Sequence, residues 1–210
     1  MMAHSKSSKR WLHEHFNDVY VKRSQAENWR SRAVFKLQEI DQRDQLFKPG
    51  AGVVDLGAAP GGWSQYAVKK VGDSGFVIAS DILAMEPLPG VDFIQGDFQE
   101  QTVFEQLLGV IDGRPVDVVL SDMAPNLSGN KSIDQPRSLA LVELALDTAC
   151  QVLSPGGHWL AKAFQGQGFD ALKQQLKPLF QQVVIRKPDA SRARSQEVYL
   201  LARHFQGGNR

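Results

Sequence analysis

Residues 53–66 read VVDLGAAPGGWSQY. A short run, apolar except for Asp55, ends at Gly57, and four of the six positions 57–62 are Gly or Pro. Residues that small leave the backbone open to close approach by a ligand and free to take conformations closed to larger side chains. From Trp63 to Val71 the pattern turns helical. Strand, bend and helix in that order put the bend at the carboxyl end of a strand, the edge where open α/β sheets bind ligands.

Working outward, the same alternation recurs. Apolar runs at 53–56, 76–80, 92–95, 116–122 and 158–164 read as strands, and helical patterns near 63–71, 99–108, 135–153 and 168–179 lie between them. Strands apolar on both faces and separated by helices predict a parallel sheet covered on both sides. The end differs: QVVIRK (182–187) and EVYLLAR (197–203) are joined by a segment too short for a helical crossover, so they predict an antiparallel hairpin. The expected fold is α/β and Rossmann-like: a seven-stranded, mostly parallel sheet with a C-terminal antiparallel hairpin and helices on both faces. That is the architecture of class I S-adenosylmethionine-dependent methyltransferases. Upstream, residues 11–46 read as helical, with Ser31 as N-cap of the stretch in which Ala33, Leu37 and Ile40 share a face, and Pro49-Gly50 ends the segment. The expected organisation is one domain: a flexible basic tail at 1–10, a helical RNA-contacting segment at 11–48, the methyltransferase core at 49–203 and a tail at 204–210.

A chain of 210 residues suits one α/β domain. Its single cysteine, Cys150, excludes an internal disulfide and reads as a core thiol. No apolar run approaches the ~20 residues of a membrane span, and the basic N-terminus is not followed by the apolar stretch of a secretory signal. A cytoplasmic protein is expected. The net charge of +1 conceals an asymmetry. Residues 1–38 hold eight Lys/Arg against three Asp/Glu, and residues 183–196 hold four against one. Two basic segments on an acidic body are the charge pattern of a nucleic-acid footprint, and equally of two solvated surface segments.

The bend itself discriminates among ligands. A phosphate-cradling loop needs Gly-Lys-Ser/Thr after its glycines, and here Gly62-Trp63-Ser64 offers no lysine. The dinucleotide pattern G-x-G-x-x-G lacks its second glycine, since Gly57 is followed by Ala-Ala-Pro-Gly-Gly. Asp81, 24 residues after Gly57, suits ribose hydroxyls. Asp97 follows the third strand, where an adenine amino group would lie, with Phe98 against the ring. Acids after successive strands (Asp81, Asp97, Asp122) fit a cofactor with a sulfonium and an ammonium better than one with a pyrophosphate. S-adenosylmethionine is the expected cofactor, and no metal is expected.

After the fourth strand comes SDMAPN (121–126), without the aromatic turn of amine methyltransferases, and no activated cysteine serves a covalent route. Lys162 stands near the end of the otherwise apolar fifth strand, either snorkelling to solvent or, with Asp122 and Glu197, forming a site. LGAAPGGWSQ, SDMAPN, KAFQG, KPDASRARSQEVY and RSRAVFKLQEI together resemble the FtsJ/RrmJ (RlmE) family of ribosomal RNA 2′-O-ribose methyltransferases, over about residues 11–202. The resemblance implies a catalytic tetrad of Lys36, Asp122, Lys162 and Glu197. It also implies cofactor contacts at Gly61, Trp63, Asp81, Asp97 and Asp122, and as substrate a uridine ribose in the A-loop of 23S ribosomal RNA on the large subunit. In such a site Lys162 deprotonates or orients the hydroxyl, Lys36 steers the phosphate or ribose, and Glu197 holds Lys162. Arg30, Arg32, Lys36, Arg192 and Arg194 are expected at phosphates; Trp29 reads as core or as a base-stacking ring. Other readings of the same residues are a 2′-O-methyltransferase of tRNA or capped RNA, and an inactive ribosome-assembly factor. A monomer is expected, for want of a dimer seam.

Overall fold

The computed structural model describes residues 18–126, 128–192 and 195–207, with the side chain of Lys131 excepted. The expected basic tail, the first residues of the N-terminal helical segment, Arg194 and the last three residues lie outside the described residues.

Among the described residues two short helices come first, α1 (Val19–Ala26) and α2 (Val34–Asp44). Then follow β1 (Gly52–Leu56), α3 (Gly62–Val71), β2 (Phe76–Asp81), β3 (Val91–Gln95), α4 (Gln101–Ile111) and β4 (Val116–Ser121). The second half holds α5 (Lys131–Val152), β5 (Leu153–Phe164), α6 (Phe169–Leu176), β6 (Phe180–Arg186) and β7 (Glu197–Phe205). The seven strands form one sheet in the order β3-β2-β1-β4-β5-β7-β6. β1 to β5 run parallel, and β7 is antiparallel to both its neighbours. The hairpin therefore inserts its second strand inside the sheet. Composition explains why: β7 is buried over Val198–Ala202, whereas β6 is mostly exposed or half-buried, with Gln181, Gln182 and Ile185 exposed, as befits an edge strand.

Strand alternation sorts the core into two layers. Val54, Leu56, Ile78, Val119, Trp159, Ala161, Leu200 and Ala202 pack with α4, α5 and α6. Val53, Val77, Val118, Leu120, Leu160, Tyr199 and Leu201 pack with α2 and α3. Cys150 packs, partly buried, against the α4–α6 layer, and burial raises its thiol pKa, as fits a core residue. Among the described residues, no helix is long and apolar enough to cross a membrane.

Two sequence expectations need correction. The N-terminal helical stretch is broken at 27–33. Asn28 takes a left-handed conformation (φ 57°), and Gln65 of α3 clasps the break, donating to the Asn28 carbonyl at 2.9 Å and accepting from Arg30 N at 3.0 Å. The helix itself closes locally, with Trp29 N donating to the Ser24 carbonyl at 2.8 Å around left-handed Asn28, and Gln65, 35 residues from Arg30, holds that turn against α3. Ser31 is not the cap either: Ala33 holds that position without a side-chain bond, and a Cβ on Gly62 would lie 2.2 Å from Ser31 Oγ. Ser31 packs against the glycine bend instead.

A bidentate ion pair ties α2 to the edge strand. Arg186 Nε and Nη2 donate to Asp44 Oδ2 and Oδ1 at 2.7 and 2.6 Å, with Asp44 buried. Removing one partner leaves the other charge poorly compensated. Asp44→Ala should lower unfolding free energy by about 1–3 kcal/mol, read as a drop in urea midpoint with unchanged slope.

Candidate active site

The layer assignment carries over to the strand ends. By the same two-residue period, Asp55 follows Val53, Asp81 follows Ala79, Asp122 follows Leu120, and Lys162 follows Leu160. On the antiparallel β7, Glu197 shares a face with Tyr199 and Leu201. All of these side chains project to the α2–α3 side, and the parallel strands deliver Asp55, Asp81, Asp122 and Lys162 at or near their carboxyl ends.

The glycine bend is stitched to β2 beside them. Gly57 N and Ala58 N donate to the Ser80 carbonyl at 2.8 and 3.2 Å. Ala59 N donates to Asp81 Oδ2 at 2.8 Å, and Leu83 N to Asp81 Oδ1 at 2.8 Å. Gly57 and Gly61 have φ of 74° and 99°. A Cβ at Gly57 would meet Met123 Cγ at 2.3 Å, so the bend also lies flat against the segment after β4.

On the other side of Asp122 lies a connected set of polar groups. Lys162 Nζ is 3.2 Å from Asp122 Oδ1 and also donates to the Asp122 carbonyl. The Tyr199 hydroxyl donates to the same Oδ1 at 2.7 Å. Its ring packs on Trp63 at 5.7 Å between centroids and lies 5.6 Å from Lys36 Nζ. Lys36 Nζ pairs with Glu197 Oε1 at 2.8 Å, and Ser191 Oγ donates to that oxygen at 2.8 Å. Burial, followed by the carboxylates of Asp122 and Glu197, raises the Tyr199 pKa, so the hydroxyl keeps its proton as a donor. The four tetrad residues thus stand in two ion pairs bridged by Tyr199.

The rim is rich in acid. Asp55, 1% exposed, accepts a bond from Ser64 Oγ at 2.6 Å, while its Oδ1 has no partner among the described residues. An orphaned buried carboxyl oxygen, with Asp81 and Asp122 close enough to act on it electrostatically, fits a cationic ligand and opposes an anionic one such as a pyrophosphate. Among the described residues no group of three or more His, Cys, Asp or Glu could hold a metal. A cleft of about 250 Å³ elsewhere in the fold is lined by Lys48, Asp117 and His158, at the amino ends of the parallel strands. His158 is pushed down to about 4 by burial and by Arg203, so it stays neutral there.

A family model for FtsJ-like methyltransferases matches residues 29–205. The chain belongs to this family. It is 63% identical to ribosomal RNA large subunit methyltransferase E of Chromohalobacter salexigens over 97% of both chains. It is 59% identical to the protein of the same name from Hydrogenovibrio crunogenus, over 96% of this chain and 98% of that one. In structure it resembles a Plasmodium falciparum protein assigned as a ribosomal RNA methyltransferase. The TM-score is 0.75 and the identity 31%, over 86% of this chain and all of that one. The fold is the Rossmann-like methyltransferase fold.

Within this FtsJ-like site several residues behave otherwise than the sequence led one to expect. Glu197 pairs with Lys36, not Lys162, because β7 runs antiparallel and sets Glu197 opposite Phe164. The Trp63 indole is buried and donates to the Ala33 carbonyl at 2.8 Å, so its main chain at the start of α3 is what borders the bend. Asp97 accepts from Gln99 N at 3.0 Å, but Phe98 packs into the α4–α6 layer and offers no face to a ligand. Exposed Ile82 and Leu83, directly after Asp81, supply the apolar surface there. Two arginines expected at phosphates hold the fold together instead. Arg30 donates to the carbonyls of Glu86 and Pro87, both at 2.6 Å, and Arg32 is engaged by Asp18 and the Ala190 carbonyl. Arg192 is exposed. Trp29 is partly buried against Tyr66, with Lys69 Nζ 4.0 Å from its ring centre, so it reads as core. Sequence reasoning missed Tyr199, Ser191 and Asp55; an acid inside an apolar strand was the one available signal.

Gly57→Ala combines a left-handed backbone with a clash at Met123. The variant should lose about 1–3 kcal/mol of stability, measured by urea unfolding.

Proposed function

We propose that this chain transfers a methyl group from S-adenosylmethionine to the 2′-oxygen of a uridine ribose in the A-loop of 23S ribosomal RNA on the large ribosomal subunit. The observation that carries the proposal is the pairing of Lys162 with Asp122 and of Lys36 with Glu197 beside an acid-lined glycine bend. The relatives' name, ribosomal RNA large subunit methyltransferase, supports the substrate class.

S-adenosylmethionine, when bound, supplies a methyl group on a sulfonium, a leaving group that needs no acid. The chain's residues must bind, align and handle one proton. Gly61 and the main chain of Trp63 border the cofactor, and both Asp81 oxygens retain lone pairs for ribose hydroxyls beyond the amides they hold. Asp97 takes the adenine amino group, with Ile82 and Leu83 beneath the ring, and Asp122 faces the cationic end. Lys162, held as a cation by the Asp122 carboxylate, orients the 2′-hydroxyl and stabilises the charge that develops on its oxygen, and the hydroxyl proton passes to solvent. Tyr199 fixes Asp122. Lys36 is held by Glu197, which Ser191 holds in turn, and it positions the ribose or its phosphate. RNA contacts from exposed Arg192 and its neighbours are to phosphates, which gives salt-dependent affinity with little reading of sequence. This work takes place in the cytoplasm, where ribosomes assemble.

Incubation with labelled S-adenosylmethionine, in parallel with large subunits, free ribosomal RNA, tRNA and capped RNA, followed by mapping of the modified ribose, tests the reading. Label at one uridine of the large-subunit RNA is expected; label confined to tRNA or caps, or none, overturns it. Lys162→Ala should lower transfer by about 10²–10⁴-fold with cofactor affinity kept. Asp81→Ala should weaken cofactor binding roughly 10–100-fold, measured by calorimetric titration.

A further inference from the structure

The scheme above leaves the buried acid of the rim, Asp55, without a task. Asp55 sits mid-rim on β1, flanked in the sheet by β2 and β4. Its Oδ2 is bonded to Ser64, and its Oδ1 is sealed from solvent with no donor among the described residues. The charged groups acting on it are both acids, Asp122 beyond β4 and Asp81 at the end of β2; α3 contributes the Ser64 hydroxyl and amide. A carboxylate in that setting lacks a hydrogen bond on one oxygen and feels repulsion from two sides. Both effects favour the protonated acid.

We propose that Asp55 is a proton-exchanging counter-charge of the cofactor site, carrying a proton in the free protein and releasing it when a cationic ligand settles beside Asp81 and Asp122. The inference rests on the cofactor reading above. Burial first, then Asp122 and Asp81, raise this carboxyl to about 7 against the opposing Ser64 bonds, so the exchange falls at neutral pH. S-adenosylmethionine brings a sulfonium and an ammonium. Either cation offsets the repulsion from the neighbouring acids, and the carboxyl ionises with its proton passing to solvent. Asp55 need not touch the ligand; it acts through the field it shares with Asp81 and Asp122. After methyl transfer the sulfonium charge is gone, the carboxyl recovers its proton more readily, and the product is held less tightly than the substrate. A buried carboxyl thereby senses which of two nearly isosteric ligands is present.

The sign follows from linkage: a ligand that expels a proton binds more tightly as pH rises through the free-state pKa and levels off above it. The test is calorimetric titration of the whole chain with S-adenosylmethionine. At pH 7, in two buffers of different ionisation enthalpy, release of roughly half a proton per cofactor is expected, and the dissociation constant at pH 6 should be about tenfold weaker than at pH 8. The cofactor's own amino group titrates near ~8 and takes up protons on binding as a cation. Asp55→Asn, a neutral isostere of the protonated acid, isolates the carboxyl: the variant should lose the proton release and the weakening at pH 6. S-adenosylhomocysteine should release fewer protons than S-adenosylmethionine from the wild type. Binding by the wild type with no buffer dependence and equal affinity at pH 6 and 8 would overturn the role of Asp55 alone. So would a pH dependence unchanged in Asp55→Asn. No binding at either pH would overturn the cofactor reading and this inference with it. The wild-type measurements decide the matter even if the variant fails to fold.

Discussion

The hydrogen bond from the Tyr199 hydroxyl to Asp122 joins what would otherwise be two separate halves of the site. Asp122 hangs from the end of β4, where an unsupported carboxylate would have many rotamers. Tyr199 is fully buried, its ring wedged against Trp63, so its hydroxyl has essentially one place to be. That fixed donor orients Asp122, and Asp122 holds Lys162. The same ring lies near Lys36, which reaches Glu197. The arrangement depends on β7 lying between β5 and β6. A hairpin added in the opposite order would take Tyr199 and Glu197 out of reach of Lys162.

Charge at this rim is deliberately unbalanced. Asp55, Asp81 and Asp122 stand on neighbouring strands with Lys162 as the paired cation of the group. Like charges in a partly dry cleft oppose folding, and Asp55 meets that cost by holding a proton rather than by finding a partner. The strain is useful where the ligand is itself cationic, because binding relieves it. An anionic pyrophosphate at the same bend would add to the repulsion, so the charge of this rim favours a cationic ligand over a dinucleotide.

The N-terminal helices serve the site more through structure than through surface charge. Arg30 ties the glycine bend to the main chain of the β2–β3 connection, and Arg32 ties α1 to the hairpin loop through Asp18 and Ala190. Each guanidinium satisfies several carbonyl or carboxylate oxygens at once through a rigid planar fork that spans separated acceptors. Net positive charge in the segment is thus a poor count of the cations open to RNA.

The order of strands and helices was legible in the chain because each element writes its own pattern: unbroken apolar runs for strands buried on both faces, a period of about 3.6 for helices, and glycine and proline at the turns. The carboxyl-edge residues Asp81, Asp122 and Lys162 were legible for the same reason, since an acid or lysine closing an apolar strand has few structural excuses. What stayed hidden depends on partners far away in sequence. Gln65 holds the turn after α1 against α3, Lys36 claims Glu197, and Phe98 turns into the helical layer. The protonation of Asp55 belongs to the same class, because it follows from burial and from two acids on other strands. Local pattern determines which elements form; only packing decides which side chains meet, because proximity across a sheet is set by strand order and not by distance along the chain.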